Sequence, residues 1–251
     1  MKPDKTDVRH ILILGGTSEA GALVRALAPS SDVTLSLAGR TASPKPEPVP
    51  TRIGGFGGVE GLAAWIVAHR VARVVDATHP FADRISGNAA QACARTGTPL
   101  LAIRRPPWEP VPGDDWIDVA DMDAAAEALG SAPRIVFLTI GRQALAAFAR
   151  APQHTYHVRT IEPVGDALPV PRMTTITARG PFSTQAEIAL MREAGIAVVV
   201  SKNAGGAATY GKIAAARELG ISVVMVRRPA VPDVPAVPDA EGALVWLAQR
   251  A

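Results

Sequence analysis

The chain has 251 residues, 48% of them apolar and 20% charged, with a formal net charge of +3. That length and composition suit one large or two smaller globular domains, and the single cysteine, Cys93, excludes an intrachain disulfide framework and a cysteine-based metal site. No stretch approaches the ~20 apolar residues of a membrane span and basic residues are scattered rather than blocked, so membrane and nucleic-acid roles are disfavoured and a cytoplasmic protein acting on an anionic small molecule is expected.

Apolar, β-branched runs alternate with helical patterns along the chain. Strands are predicted over residues 11–14, 33–37, 73–76 and 99–103, and helices over 18–27, 59–69 and 82–96. The acidic, proline-rich stretch RRPPWEPVPGDDW reads as a linker. Beyond it a helix is predicted at 121–129, strands at 134–140, 155–161, 174–178, 196–201 and 222–226, and helices at 142–150, 184–194, 209–219 and 241–249. Continuous apolar strands separated by helices imply parallel sheets covered on both faces. The expected fold is therefore α/β, with two doubly wound parallel-sheet domains covering residues 1–113 and 114–251. Two proline-rich segments, 41–58 and 227–239, read as extended spacers, the first alternatively as a loop beside a ligand.

The first strand runs into Gly15 and Gly16 and then into a helix opened by Thr17, Ser18 and Glu19. Glycines there let a ligand approach the backbone, and a helix N-terminus offers N–H groups and a positive dipole end to phosphate. The spacing departs from G-x-G-x-x-G, and a plain helix cap made by Ser18 remains open. The second strand ends in Gly39, Arg40 and Thr41, where a protein that binds NAD usually carries an acid. Arginine suits the 2′-phosphate of NADPH instead, or is simply a solvated strand end. Thr78 and His79 follow the strand ending at Asp76, where His79 could contact a cofactor or donate a proton, or only complete a turn. In the second half, Arg142, Arg179, Lys202, Asn203 and Lys212 follow strands, and cations at strand ends form an anion-binding rim if the strands are placed correctly. No nucleophile elbow and no metal-ligand pair stands at a meaningful spacing.

Taken in order, ILGGTSEA, DATHPFA, FLTIGRQ, RGPF, SKNAGG with TYGKIAAARELG, and VVMVRRP resemble the precorrin-6A reductase family of cobalamin biosynthesis across about residues 10–229. The resemblance implies two Rossmann-like domains, 1–113 for NADPH and 114–251 largely for substrate, with final strands exchanged so that PLLAIRRP and ISVVMVRRP enter each other's sheets. It implies NADPH-dependent reduction of one double bond in a contracted tetrapyrrole, giving precorrin-6B. Gly15, Gly16, Thr17, Ser18, Arg40, Thr41 and Thr78 would then hold NADPH, and His79 would lie where coenzyme and macrocycle meet. Arg142, Arg179, Lys202, Asn203 and Lys212 would anchor the substrate carboxylates, and neighbouring pathway enzymes are candidate partners. Ala204 stands where the family commonly has serine. An NADP-binding sensor that never oxidises its ligand, or a reductase of another polyanion, are the competing readings.

Overall fold

The computed structural model describes residues 10–39 and 44–249. In chain order the first stretch contains β1 (His10–Leu14), α1 (Ser18–Leu27), β2 (Val33–Leu37), β3 (Thr51–Ile53), α2 (Gly58–Ala68), β4 (Val71–Asp76), α3 (Asp83–Thr96) and β5 (Leu100–Ile103). Then come β6 (Trp116–Val119), α4 (Met122–Ala128), β7 (Ile135–Leu138), a 3-10 helix (Arg142–Arg150), β8 (Thr155–Thr160), β9 (Met173–Thr177), α5 (Thr184–Glu193), β10 (Val198–Lys202), α6 (Gly211–Leu219) and β11 (Ser222–Val226). The chain finishes with β12 (Ala236–Val237) and α7 (Ala240–Ala248).

These elements form two compact units, one made of residues up to Arg105 together with those from Pro229 onward, the other of Pro106–Arg228. Each holds a six-stranded sheet, ordered β12-β5-β4-β1-β2-β3 in the first and β6-β11-β10-β7-β8-β9 in the second. Every recorded strand pairing is parallel. Parallel strands with helices on both faces are buried on both sides, and accordingly Leu12, Ile13, Val74, Val75, Val199 and Val200 are inaccessible to solvent.

In the first unit, Ala20, Leu23, Val24 and Leu27 recur at helical spacing on α1 and pack against Ile11, Ile13, Val33 and Leu35. Ala243 of α7 joins the same cluster, with Leu244 and Leu247 against its margin. Arg73 of β4 secures α7, donating from Nη1 to the carbonyls of Trp246 and Leu247 and from Nη2 to that of Gln249. A cation supplying the last carbonyls of a helix also complements its negative dipole end. In the second unit, Phe137, Val199, Val223 and Met225 from the sheet pack with Ile188 and Met191 of α5 and Ile213 and Ala216 of α6.

Three expectations about chain organisation need correction. The division falls at residues 105/106 rather than 113, and residues from 229 onward return to the first unit instead of completing the second. Strands are exchanged, but not PLLAIRRP and ISVVMVRRP: β5 pairs with β4 and β11 with β10, each in its own sheet. The following strands cross instead, β6 lying beside β11 and β12 beside β5. The segment 227–239, read as a spacer, therefore contains a strand, held by Ala102 N–H to the Pro235 carbonyl and Arg104 N–H to the Val237 carbonyl. The expected helix at 142–150 is a 3-10 helix.

Candidate functional site

In the first sheet the chain moves from β1 outward through β2 to β3, then returns to β4 on the other side of β1 and continues to β5. The turns after β1 and β4 thus leave in opposite directions from adjacent strands, with Leu14 registered against Asp76. Such a switch point opens a crevice at the carboxyl edge of a parallel sheet. Both turns singled out from the sequence lie there.

Gly16 has φ +123°, a conformation that side chains rarely adopt, and a Cβ added there would meet nothing within 4 Å. Gly15 is tighter, since its Cβ would lie 2.5 Å from Leu35 Cδ1. Thr17, not Ser18, caps α1: its Oγ1 accepts from Ala20 N–H at 3.1 Å and donates to the Ala77 carbonyl at 2.8 Å. One hydroxyl thereby starts the helix and ties the two turns together. Ser18 is exposed and donates to Glu19 Oε2 at 2.9 Å. The open side of Gly16 beside a helix N-terminus is a fit for a phosphate-bearing nucleotide.

The second turn is organised by Asp76, which is 1% exposed. Its Oδ1 accepts from Thr78 N–H at 3.1 Å and Thr78 Oγ1 at 2.6 Å, and its Oδ2 from Ser86 Oγ at 2.6 Å and Arg104 Nη2 at 2.7 Å. The Thr78 hydroxyl, expected to touch a cofactor, spends its proton on this carboxylate. His79 is half-buried, and its Nδ1 accepts from Phe81 N–H at 3.2 Å, so a neutral ring in this geometry carries its proton on Nε2. Thr17, Glu19, Thr78, Pro80, Ile103 and Arg105 line one recess at this point. Arg40 and Thr41 lie outside the described residues. On β3, Arg52 donates to the Gly54 and Gly55 carbonyls at 2.8 and 2.9 Å and stacks 3.8 Å above the Phe56 ring, ordering the loop in which the sequence showed an extended connection.

The second sheet has its own switch point between β7 and β10. Arg142 opens the 3-10 helix after β7, Arg179 follows β9 and Lys202 ends β10, so all three lie at one carboxyl edge. Arg142 and Arg179 are exposed and Lys202 is half-buried. The other two expected anchors are placed differently. Asn203 pairs its amide with the Trp108 backbone, accepting from N–H at 2.7 Å and donating to the carbonyl at 2.9 Å. Lys212 is 3% exposed and donates to the Thr209 carbonyl at 2.7 Å, with its Nζ 4.9 Å from the Trp108 ring. Burial, reinforced by the Arg159 charge and opposed by Glu187, lowers the Lys212 ammonium to about 7.

Sequence reading missed Arg104 and Arg105, which stand just past β5 and hold Asp76 and Glu19. The signal was available, because both follow the carboxyl end of a predicted parallel strand, the rule used for Arg142 and Lys202. They were absorbed instead into the proline-rich linker.

Two doubly wound parallel sheets, one with a glycine turn and the other with a cationic edge at its switch point, define a two-domain Rossmann-like protein. Within that class the chain belongs to the precorrin-6x reductase CbiJ/CobK family, whose model it matches over residues 10–248. A precorrin-6A reductase of a Sinorhizobium species is 54% identical over 95% of this chain and 94% of the relative, and one from Rhodobacter capsulatus is 48% identical over 96% of each. A solved structure described as CobK precorrin-6A reductase superposes with a TM-score of 0.91 at 47% identity, covering 96% of each chain.

Proposed function

We propose that the chain is an oxidoreductase that uses NADPH to reduce one double bond of the precorrin-6A macrocycle, giving precorrin-6B in cobalamin biosynthesis, in the cytoplasm. The observation that carries this reading is the near full-length similarity to precorrin-6A reductases at about half identity. The open glycine turn at the first switch point and the cationic edge of the second sheet are what an anionic coenzyme and a polycarboxylate substrate require.

NADPH supplies the hydride when bound. The residues that would hold it are Gly15, Gly16, Thr17 and Ser18 at the turn after β1, Arg40 and Thr41 past β2, and Thr78 past β4, with Arg40 the expected partner of the 2′-phosphate. Gly16 lets a phosphate approach the chain, and Thr17 holds the two turns in register through its bonds to Ala20 and Ala77. Arg142, Arg179 and Lys202 form the substrate rim, where paired carboxylates would fix the macrocycle for reaction. Charge-assisted bonds of about 1.5–3 kcal/mol each make such a rim effective even with few contacts.

His79 carries the remaining chemistry. Its bond from Phe81 N–H to Nδ1 is one an imidazolium, protonated on both nitrogens, does not accept. With Nδ1 accepting from Phe81 N–H, a neutral ring carries its proton on Nε2, and His79 would orient a substrate group or the water that delivers the proton to the carbon beside the reduced one. His79→Gln should lower kcat with little change in coenzyme affinity, and an unchanged kcat would remove His79 from the reaction. Calorimetric titration of the wild-type chain with NADPH and then with precorrin-6A tests the two-ligand reading, and failure to bind either one contradicts it.

A further inference from the structure

Arg105 stands two residues past β5, and its Nη1 donates to both carboxylate oxygens of Glu19, at 2.9 Å each. Glu19 lies in the first turn of α1, two residues past Thr17 and the glycine turn. Both side chains are mostly covered, at 16% exposure for Arg105 and 20% for Glu19, and both line the recess at the switch point.

Two demands conflict at Glu19. A carboxylate in the first helical turn favours the helix through its dipole. The same charge repels an anion brought to that N-terminus, and low local dielectric strengthens the repulsion. Protonation does not relieve it. Burial alone would raise the Glu19 carboxyl, but the Arg105 hydrogen bond and charge, a backbone bond and the Ser18 hydroxyl bring it below its ordinary value, so it is ionised at neutral pH. Among the described residues Arg105 is the charged group that acts on it, the others lining the recess being Thr17, Thr78, Pro80 and Ile103.

We propose that the Glu19–Arg105 pair sets the charge of the coenzyme site, Arg105 being a positioning and charge-compensating residue whose loss turns Glu19 into a repulsive group facing the pyrophosphate. The inference rests on the coenzyme reading above. It has a signature of its own: NADPH and NADH share the pyrophosphate, so both respond equally, whereas the 2′-phosphate contact expected of Arg40 separates them.

The test is titration of the full chain with NADPH and with NADH, for wild type, Glu19→Gln, Arg105→Met, Arg105→Lys and the double variant Glu19→Gln/Arg105→Met. Arg105→Met should weaken both coenzymes by the same factor, roughly five- to thirtyfold. The double variant should return to within about threefold of wild type, because the stranded charge has gone. Arg105→Lys should keep most of the affinity, and Glu19→Gln should not weaken binding. The Arg105→Met deficit should also shrink as pH falls and the unpaired Glu19 takes up a proton. A double variant as weak as Arg105→Met, or an Arg105→Met variant that binds like wild type, overturns the proposal. Should Arg105→Met fail to fold, the Glu19→Gln background decides: loss of more than about threefold on adding Arg105→Met there overturns it equally. Wild-type protein that binds neither coenzyme removes the coenzyme reading and this inference with it.

Discussion

Replacing Arg104 by methionine should destabilise the first unit through a charge it leaves behind. Asp76 is 1% exposed and Arg104 Nη2 lies 2.7 Å from its Oδ2. Removing one member of a buried pair commonly costs about 3–5 kcal/mol, because the partner is left uncompensated. Two features reduce that here: the Arg104 side chain is 19% exposed, and Thr78 and Ser86 still donate to the carboxylate. A loss of about 2–3 kcal/mol is therefore expected, or a fall of about 5–10 °C in melting temperature. Adding Asp76→Asn removes the stranded charge, and the double variant should recover at least about 1 kcal/mol relative to Arg104→Met. Denaturant unfolding of the four proteins measures both quantities. A change below about 0.5 kcal/mol for Arg104→Met, or strict additivity of the two substitutions, would refute the reasoning.

Other consequences follow from the same structure. Gly16→Ala forces a side chain into φ +123° while meeting no neighbour within 4 Å, so stability should fall by about 1–2 kcal/mol with NADPH affinity reduced as well; an unchanged melting temperature would contradict the strain. Arg40→Ala should weaken NADPH and spare NADH, and equal losses would remove the 2′-phosphate assignment. Arg142→Ala and Lys202→Ala should weaken precorrin-6A while sparing NADPH, checked by calorimetry with each ligand separately. Lys212, lowered to about 7 when folded, keeps its ordinary value when unfolded. Below about pH 7 both states are charged and the burial penalty is complete; between about 7 and 10.5 the unfolded state holds more protons, so stability rises with pH. Wild type should therefore gain stability relative to Lys212→Met from about pH 6 to pH 9.5 in urea unfolding, and a constant difference would show that the lysine does not titrate as described.

The central strands and most helices were legible because burial on both faces leaves long β-branched runs that few other structures tolerate. The strands that escaped, β3, β6 and β12, are all at sheet edges. An edge strand pairs on one side, can be as short as the two residues of β12, and tolerates proline nearby, so VPTRIGG and VPAVPD present as connections. The strand exchange was likewise invisible to local pattern, because pairing of Ala236 with Ala102 joins residues far apart in sequence. At the first switch point the turns at Gly16 and Thr78 were read from residue type and position. Which hydroxyl caps the helix was not, since serine is if anything the better cap by residue type and Thr17 is tied in place by its bond to the Ala77 carbonyl across the crevice. Asn203 and Lys212 show the limit of the strand-end rule. A polar side chain after a strand can face solvent, as Arg142 does, or turn inward, as Asn203 does to hold Trp108.

The most direct measurement is anaerobic mixing of the purified chain with NADPH and precorrin-6A, following nicotinamide absorbance and product mass together. Loss of NADPH matched by a mass gain of two hydrogens is the result expected of a precorrin-6A reductase. NADPH that binds but is not oxidised, with the substrate intact, would contradict that assignment and leave the chain as a binding protein or a reductase of another polyanion.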